Sequence, residues 1–203
     1  MAEQASGEPL FEFLEVMRRL RAECAWKAGQ THRSLARYLL EETHETLEAI
    51  DQGAASGDWD HLREELGDLL LQVYFHAVVA EEAGEFTIDD VVRGITEKMH
   101  RRNPHVFGDG AGGTPAEINE AWEAIKATEK QRDSVTDGIP PTLPALLYAD
   151  KVLDRLERAG TVVEPVETPE NDLGERLLAL VAEARASDVD PEQALRVAVR
   201  RRL

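Results

Sequence analysis

The sequence predicts an all-α fold in which antiparallel helices form a bundle. Aromatic residues make up only 5% of the 203 residues, and runs of β-branched residues are short. Ala, Leu, Glu and Arg dominate instead, and these residue types favour helices. With 42% hydrophobic residues, the chain has enough apolar content to bury the core of one domain with an appendage.

Apolar residues recur at helical spacing along most of the chain, and breaks in this pattern divide it into successive helices. Ser34, Asp58 and Thr87 are the residues expected to cap the second, third and fourth helices. The predicted helices span residues 9–23, 34–53, 58–83, 87–102, 115–132 and 145–159, and two short helices follow within residues 173–202.

The formal net charge of the chain is −17, from 23 basic and 40 acidic side chains. A surface this negative repels phosphate backbones and anionic lipids, so we expect no nucleic-acid partner and no membrane partner. No apolar run approaches the ~18–20 residues of a membrane span, and the N-terminus lacks the pattern of a signal peptide. The single cysteine, Cys24, excludes an internal disulfide, so we expect a cytoplasmic protein.

Four carboxylates on the second and third helices are the most informative feature of the sequence. Glu42 and Glu45 are three residues apart, as are Glu65 and Asp68, so each pair shares one helix face. If the two helices run antiparallel, Glu45 faces Glu65 and Glu42 faces Asp68, because both pairs are equally distant from the same point in the turn. The four carboxylates are therefore expected to converge at one level of the helix pair.

This crowding of acidic side chains predicts a metal site, because like charges so close are unfavourable unless a cation neutralises them or some are protonated. Oxygen ligands without cysteine suit Mg²⁺, or Mn²⁺ as a substitute, better than zinc or copper. Leu40, Leu66 and Leu69 are expected to face the core beside the acids, which favours a metal site over a solvated acidic face. Glu41 lies one turn before Glu45 and is the candidate general base.

Basic side chains on the fourth and fifth helices are candidates for binding phosphate beside such a metal. The alternative interpretation of these basic residues is that they stabilise helix C-termini. A tryptophan on the fifth helix, Trp122, is also a candidate, and the alternative for it is helix packing. The candidate substrate-binding residues are Lys98, Arg101, Arg102, His105, Trp122 and Lys126.

A di-iron site is a second interpretation of the same helices. Glu41-x-x-His44 and Asp58-x-x-His61 have the spacing of the Glu-x-x-His ligands of di-iron bundles. His61 is out of register with the four carboxylates, however, and Asp58 is expected to cap a helix. The Mg²⁺ interpretation is therefore favoured.

Several segments extend these patterns, and together they resemble the MazG family of nucleoside triphosphate pyrophosphohydrolases over about residues 10–160. Ala25, Lys27 and Asn103 depart from the Pro, Asp and His that are usual in the family, so no base preference is implied. The matching segments are Cys24-Ala-Trp26, Gln30-Thr31-His32, Leu39-Leu40-Glu41-Glu42-x-x-Glu45, Leu62-x-Glu64-Glu65-Leu66-Gly67-Asp68-Leu69-Leu70-Leu71-Gln72-Val73, Lys98-x-x-Arg101-Arg102-x-Pro104-His105-Val106-Phe107 and Trp122-Glu123-x-Ile125-Lys126-x-x-Glu129-Lys130.

The resemblance implies an all-α fold and obligate homodimerisation, in which helices from two subunits complete each bundle. It also implies Mg²⁺-dependent cleavage of a nucleoside triphosphate to a nucleoside monophosphate and pyrophosphate. The metal ligands would then be Glu42, Glu45, Glu65 and Asp68, and the residues that hold the nucleotide would be Lys98, Arg102, Trp122 and Lys126.

By the same resemblance, residues 1–135 form the catalytic helical domain and residues 136–203 form a C-terminal helical extension. Within the extension, Asp172-Leu-Gly174-Glu175 echoes Glu65-Leu-Gly67-Asp68, but no Glu-Glu-x-x-Glu precedes it. The extension is therefore interpreted as a degenerate half-repeat that packs or assists dimerisation.

The predicted function is the Mg²⁺-dependent hydrolysis of nucleoside triphosphates, with house-cleaning of the nucleotide pool as its role. Two or more ions are expected to position and acidify a water for in-line attack on the α-phosphorus, with pyrophosphate as the leaving group. A regulatory nucleotide-binding module with a slow site is the alternative from another class, and the di-iron bundle is the third.

Overall fold

The computed structural model describes residues 7–129, 134–161 and 172–202. Over these residues the chain forms α-helices and no β-strand, which confirms the predicted all-α fold. The chain divides into two compact units, Met1–Trp122 and Glu123–Leu203. The catalytic domain over residues 1–135 and the extension over residues 136–203 stay predictions.

The helices of the two units follow one another along the chain. The first unit contains α1 (Glu8–Glu23), α2 (Ala25–Ala28), α3 (His32–Ser56), α4 (Asp60–Glu82), α5 (Ile88–Arg102) and α6 (Pro104–Phe107). Helix α7 (Pro115–Thr128) crosses the division, and the second unit continues with α8 (Ala145–Arg158), α9 (Leu173–Ala186) and α10 (Pro191–Arg200). No helix in the described ranges is long and apolar enough to cross a membrane.

Helices α3 and α4 form the hairpin that the sequence predicts, but α3 begins earlier and ends later than expected. Thr31, rather than Ser34, is the N-cap: its hydroxyl accepts from the backbone N–H of Ser34, and the Ser34 hydroxyl accepts from the backbone N–H of Thr31. The helix continues through Gly53 to Ser56, and Gly57 then ends it with a φ of +79°, a conformation that glycine adopts without strain.

The turn into α4 is held by two local contacts. Trp59 occupies the N-cap position that was expected for Asp58, while Asp58 Oδ1 accepts a hydrogen bond of 3.0 Å from the backbone N–H of Asp60. The indole of Trp59 lies against Gly53, where an added Cβ would come within 2.4 Å of the ring. The absence of a side chain at Gly53 therefore allows the turn to pack on α3.

The core of the first unit forms where α1, α3 and α5 pack against α4. Met17 of α1, Leu35 of α3 and Val78 of α4 are each at most 2% exposed. Arg21 of α1 adds an ion pair with Glu82 of α4 at the edge of this core. Burial of side chains of this size supplies most of the stabilisation of such a unit.

The face that α3 buries differs from the one expected. Leu40 and Leu66 are 61% and 50% exposed, and Leu69 is half-buried, so the prediction that these leucines face the core was wrong for the first two. Small side chains let the backbones of α3 and α4 approach closely, and this leaves the larger apolar residues outside the contact. The buried positions of α3 are Leu35, Thr46, Ala49 and Gly53.

Helix α5 begins with the capping box that its sequence predicts. The Thr87 hydroxyl accepts from the backbone N–H of Asp90, and the Asp90 carboxylate accepts from the backbone N–H of Thr87 at 2.9 Å. The helix ends at Arg102, and Pro104 begins the short helix α6. The basic residues at the end of α5 are thereby fixed at a helix C-terminus.

In the second unit, α8, α9 and α10 pack on one another. Leu153 of α8 and Val181 of α9 are buried between them. Arg185 of α9 forms ion pairs with Asp150 and Asp154 of α8 at 2.7 and 3.3 Å. Apolar burial and these ion pairs thus join α8 to α9.

Asp172, which the sequence pattern aligns with Glu65, has a different structural role. It is the N-cap of α9, and its carboxylate accepts a hydrogen bond of 3.2 Å from the backbone N–H of Glu175. Glu65 instead lies within α4 and does not cap that helix. The acid in the extension therefore stabilises the start of a helix.

Candidate active site

Three carboxylates from α3 and α4 meet at one level of the hairpin. One oxygen atom from each of Glu42, Glu45 and Glu65 lies within 4.8 Å of the other two. Glu42 and Glu45 are one helical turn apart on α3, and Glu65 reaches them from α4. Glu42 and Glu65 are half-buried, whereas Glu45 is exposed. The geometry therefore brings together three of the four acids that the spacing predicts.

Asp68, the fourth acid, acts on Glu42 through its charge. Burial raises the pKa of Glu42, and the Asp68 carboxylate is the neighbouring charge that raises this pKa most. Glu45, Glu65 and Glu41 raise the pKa of Glu42 further, in that order. We call Glu42, Glu45, Glu65 and Asp68 the acidic cluster. Because the neighbouring carboxylates all raise the pKa of Glu42, the acidic cluster favours the binding of a proton or a cation.

The backbones of α3 and α4 approach closely at the acidic cluster. Thr46 is 7% exposed, and its hydroxyl donates a hydrogen bond of 2.7 Å to the backbone carbonyl of Glu42. The same hydroxyl lies 3.5 Å from the backbone carbonyl oxygen of Glu65. A small polar residue between the helices thus holds the two acid-bearing backbones at a fixed separation.

His61 contacts the acidic cluster, although the sequence pattern placed it out of register. Its Nε2 lies 2.9 Å from Glu65 Oε1, and its Nδ1 lies 3.1 Å from Gln52 Oε1 on α3. The four-residue spacing of His61 and Glu65 on one helix was the signal for this contact. His61 therefore restricts the orientation of the Glu65 carboxylate.

The donor set of the acidic cluster fits a hard cation. The group of metal-ligating atoms found in the described part of the chain contains carboxylate oxygens and no imidazole nitrogen. Mg²⁺ and Mn²⁺ prefer such oxygen ligands. His44 is exposed and does not belong to this group, so the geometry favours the Mg²⁺ interpretation over the di-iron one.

Two of the predicted substrate-binding residues lie against each other. The guanidinium of Arg102, at the end of α5, sits 5.3 Å from the centroid of the Trp122 ring on α7, a cation–π contact. Lys98 is one turn before Arg102 on α5 and shares its helix face. Arg101 is exposed on the same helix, and His105 is half-buried in α6. The end of α5 therefore presents several cations beside one large aromatic surface.

Lys126, the last predicted substrate-binding residue, belongs to the second unit. Its Nζ forms an ion pair of 2.9 Å with Glu123, three residues earlier on α7. Both side chains are only partly exposed. This pairing holds the ammonium group of Lys126 at the surface of α7.

A contact between two histidines has no clear signal in the sequence. His32 Nδ1 lies 2.8 Å from His76 Nδ1, and the two rings are stacked in parallel with their centroids 5.1 Å apart. Burial lowers the pKa of His76, and the charge of His32 lowers it further. His32 is the first residue of α3, so the pair joins the start of α3 to α4.

A family model described as a MazG nucleotide pyrophosphohydrolase domain matches residues 30–107, a range that includes the whole acidic cluster. A protein of Streptomyces cacaoi described as an uncharacterized 26.1 kDa protein is 45% identical over 195 residues, which are 95% of this chain and 78% of that protein.

Several relatives carry names that state an activity. The nucleoside triphosphate pyrophosphohydrolase/pyrophosphatase MazG of Thermotoga maritima is 40% identical over 214 residues, with 94% of this chain and 81% of that protein covered. The nucleoside triphosphate pyrophosphohydrolase of Escherichia coli K12 is 41% identical over 186 residues, with 87% of this chain and 68% of that protein covered. Among solved structures, a mazG-related protein from Thermotoga maritima aligns with a TM-score of 0.48 and 25% identity, over 57% of this chain and 96% of that one.

Proposed function

Because the chain belongs to the MazG family of nucleoside triphosphate pyrophosphohydrolases, we propose that it hydrolyses nucleoside triphosphates to nucleoside monophosphates and pyrophosphate with Mg²⁺ as cofactor. The observation that carries this proposal is the meeting of Glu42, Glu45 and Glu65 within 4.8 Å. Relatives named for this activity match most of the chain, which supports the same reaction.

Glu42, Glu45, Glu65 and Asp68 are the proposed metal ligands, and Mn²⁺ is a proposed substitute for Mg²⁺. When bound, these cations supply charge stabilisation at the phosphates and lower the pKa of the attacking water. The repulsion that raises the pKa of Glu42 is relieved as the acidic cluster is neutralised. A triphosphate is then attracted to a region that would otherwise repel it.

The protein's cations would orient the substrate. Lys98 and Arg102 are the proposed contacts of the phosphate oxygens, together with Arg101 and His105. The Trp122 ring beneath the Arg102 guanidinium offers a stacking surface, and Lys126 is a further proposed contact. In this proposal these residues hold the triphosphate, and the acidic cluster holds the cation that activates the attacking water.

Glu41 is the proposed general base for the attacking water. It is exposed on α3, and its charge reaches Glu42. An ionised carboxylate beside the metal ligands can accept the proton that the water loses as it attacks the α-phosphorus.

We propose that the active enzyme is a homodimer. Large apolar side chains of the hairpin and α5 remain exposed, and monomeric proteins rarely leave so many together on packed helices. A second copy that covers them would complete the helical bundle. The exposed residues are Leu39, Leu40, Ile50, Leu66, Leu70, Val73, Val91, Val92 and Ile95.

Light scattering of the protein as it elutes from a size-exclusion column measures the mass of the assembly and so tests whether it is a dimer. Val73→Asp on α4 should convert a dimer to a monomer, because it places a charge among these apolar side chains. Leu10→Asp, at an exposed leucine on α1, is the matched control and should stay dimeric. A monomeric wild-type protein would contradict the proposal.

Product analysis tests the proposed reaction. The purified protein is incubated with a nucleoside triphosphate and Mg²⁺, and the products are separated by ion-exchange chromatography. We expect nucleoside monophosphate and pyrophosphate, and no turnover in EDTA. Nucleoside diphosphate with phosphate would overturn the proposal, and binding without turnover would identify a regulatory module instead.

The proposed role is house-cleaning of the nucleotide pool. Competition between canonical, deoxy and oxidised triphosphates measures the relative kcat/KM of each. A preference for noncanonical substrates supports this role, and a preference for one canonical nucleotide contradicts it.

A further inference from the structure

The second unit contains a cavity of about 420 Å³, and Lys126 is the one residue of its described lining to which the proposed reaction gives a role. It lies between the end of α7, the turn at Ser134 and the C-terminal half of α8. This volume is within the range of small-molecule sites in proteins. All of its described lining residues belong to the second unit.

The charge of this cavity is opposite to that of the whole chain. Its described lining carries four cations and two carboxylates, a balance of +2, in a chain whose formal net charge is −17. Such a local reversal of sign favours an anionic ligand over a cation or an apolar molecule. The charged lining residues are Lys126, Lys151, Arg155, Arg158, Glu123 and Asp154.

The cations differ in how they are held. Arg155 donates a hydrogen bond of 2.8 Å to the backbone carbonyl of Val135, so it supports the cavity wall. Arg158 donates to both oxygens of Asp154 at 3.1 Å, which orients its guanidinium. Lys151 forms no ion pair or hydrogen bond with the residues that the structure describes, so its ammonium charge is not compensated by a neighbour.

We propose that this cavity binds a small phosphorylated anion, with Lys151 and Arg158 as its main contacts. Guanidinium and ammonium groups are the usual protein partners of phosphate, and the Ser134 hydroxyl at the wall adds a neutral donor. Glu123 and Asp154 hold Lys126 and Arg158 in place when no anion is present. The ligand is either the triphosphate of a substrate, in which case the inference rests on the proposed function, or a separate phosphorylated molecule.

Calorimetric titration of the full chain with inorganic pyrophosphate in EDTA tests the proposal, because the acidic cluster attracts no anion without metal. Lys151→Gln and Arg158→Gln should each weaken binding roughly tenfold or more, as expected for loss of a charge-assisted contact. Arg176→Gln on α9, an exposed cation outside the cavity, is the control for net charge and should bind as the wild type does. Lys151→Gln removes no contact seen in the fold, so its effect on binding is not an effect on folding.

No binding of pyrophosphate, or equal weakening in all three variants, would overturn the proposal. If KM for nucleoside triphosphate also rises in Lys151→Gln, the cavity holds substrate phosphates; if KM is unchanged while pyrophosphate binding is lost, it holds a separate ligand. Glu42→Gln should bind pyrophosphate normally in EDTA. A protein that binds pyrophosphate at the cavity but forms no nucleoside monophosphate would contradict the proposed function alone.

Discussion

At Glu42, burial and repulsion from four neighbouring carboxylates both raise the pKa of the side chain. At neutral pH the ionised carboxylate therefore destabilises the metal-free fold, and stability is regained as pH falls through the raised pKa. A cation at the acidic cluster would remove the same cost without protonation. The charge that impairs stability is thus the charge that would bind metal.

Glu42→Gln keeps the shape of the side chain and removes its charge. We expect the melting temperature in EDTA to rise, by roughly 2–4 °C for each kcal/mol gained in a chain of this size. Turnover with Mg²⁺ should fall by about 100-fold or more, because a proposed metal ligand is lost.

Glu12→Gln is the control, because it removes an exposed carboxylate from α1. A melting temperature of Glu42→Gln no higher than that of this control would show that the acids are not crowded in the free protein.

The His32 and His76 contact gives the stability of the first unit a dependence on pH. Because burial and His32 lower the pKa of His76 in the folded chain, the unfolded chain binds more protons as pH falls below about 6.5. Stability from this group is therefore present at neutral pH and is lost as pH falls from about 6.5 to the lowered pKa.

We expect the melting temperature of the wild-type protein to fall relative to that of His76→Gln between pH 7.5 and pH 5, because the opposing contribution of Glu42 is the same in both proteins. Differential scanning calorimetry in EDTA at both pH values measures the difference. An equal loss in both proteins would assign the acid sensitivity to other groups.

Helix geometry explains which parts of the site were predictable. Side chains three residues apart share a helix face, so the meeting of Glu42, Glu45 and Glu65 followed from their spacing and from the antiparallel pairing of α3 and α4. The four-residue spacing of His61 and Glu65 carried the same kind of signal. No spacing in the sequence predicts the contact between His32 and His76, because this contact depends on how the start of α3 packs against α4.

At the scale of the elements, the helices were predictable but the face that α3 buries was not. Between Leu39 and Ser56, the large apolar residues of α3 lie on one face and the small residues on another. The hydrophobic pattern of the sequence does not show which of these faces packs against α4 and which remains exposed in a single chain. Close backbone approach selects the small residues Thr46, Ala49 and Gly53. The exposed leucines then remain available to another copy.

Gly53→Ala tests the close approach of the turn to α3. An added Cβ would meet the Trp59 ring at 2.4 Å, so we expect a loss of about 1–2 kcal/mol in the free energy of unfolding. Gly94→Ala on α5 is the matched control, since no atom lies within 4 Å of its Cβ position. It should gain about 0.5–1 kcal/mol from helix propensity, and urea denaturation measures both values. A gain at Gly53 as well would contradict the packing of Trp59.

At the scale of the whole molecule, the distribution of charge matters more than its total. The net charge of −17 disfavours a broad nucleic-acid surface, yet the acidic cluster would recruit a cation, and basic residues gather at the end of α5 and in the second unit. A chain that repels phosphate when free of metal would then accept a triphosphate once a divalent cation is bound.

The most direct test of this account is the fate of oxygen from water. Turnover of a nucleoside triphosphate with Mg²⁺ in ¹⁸O-labelled water, followed by mass spectrometry of both products, identifies the phosphorus that is attacked. Attack at the α-phosphorus predicts one labelled oxygen in the nucleoside monophosphate and none in the pyrophosphate. Label in the pyrophosphate, or in free phosphate, would contradict the account.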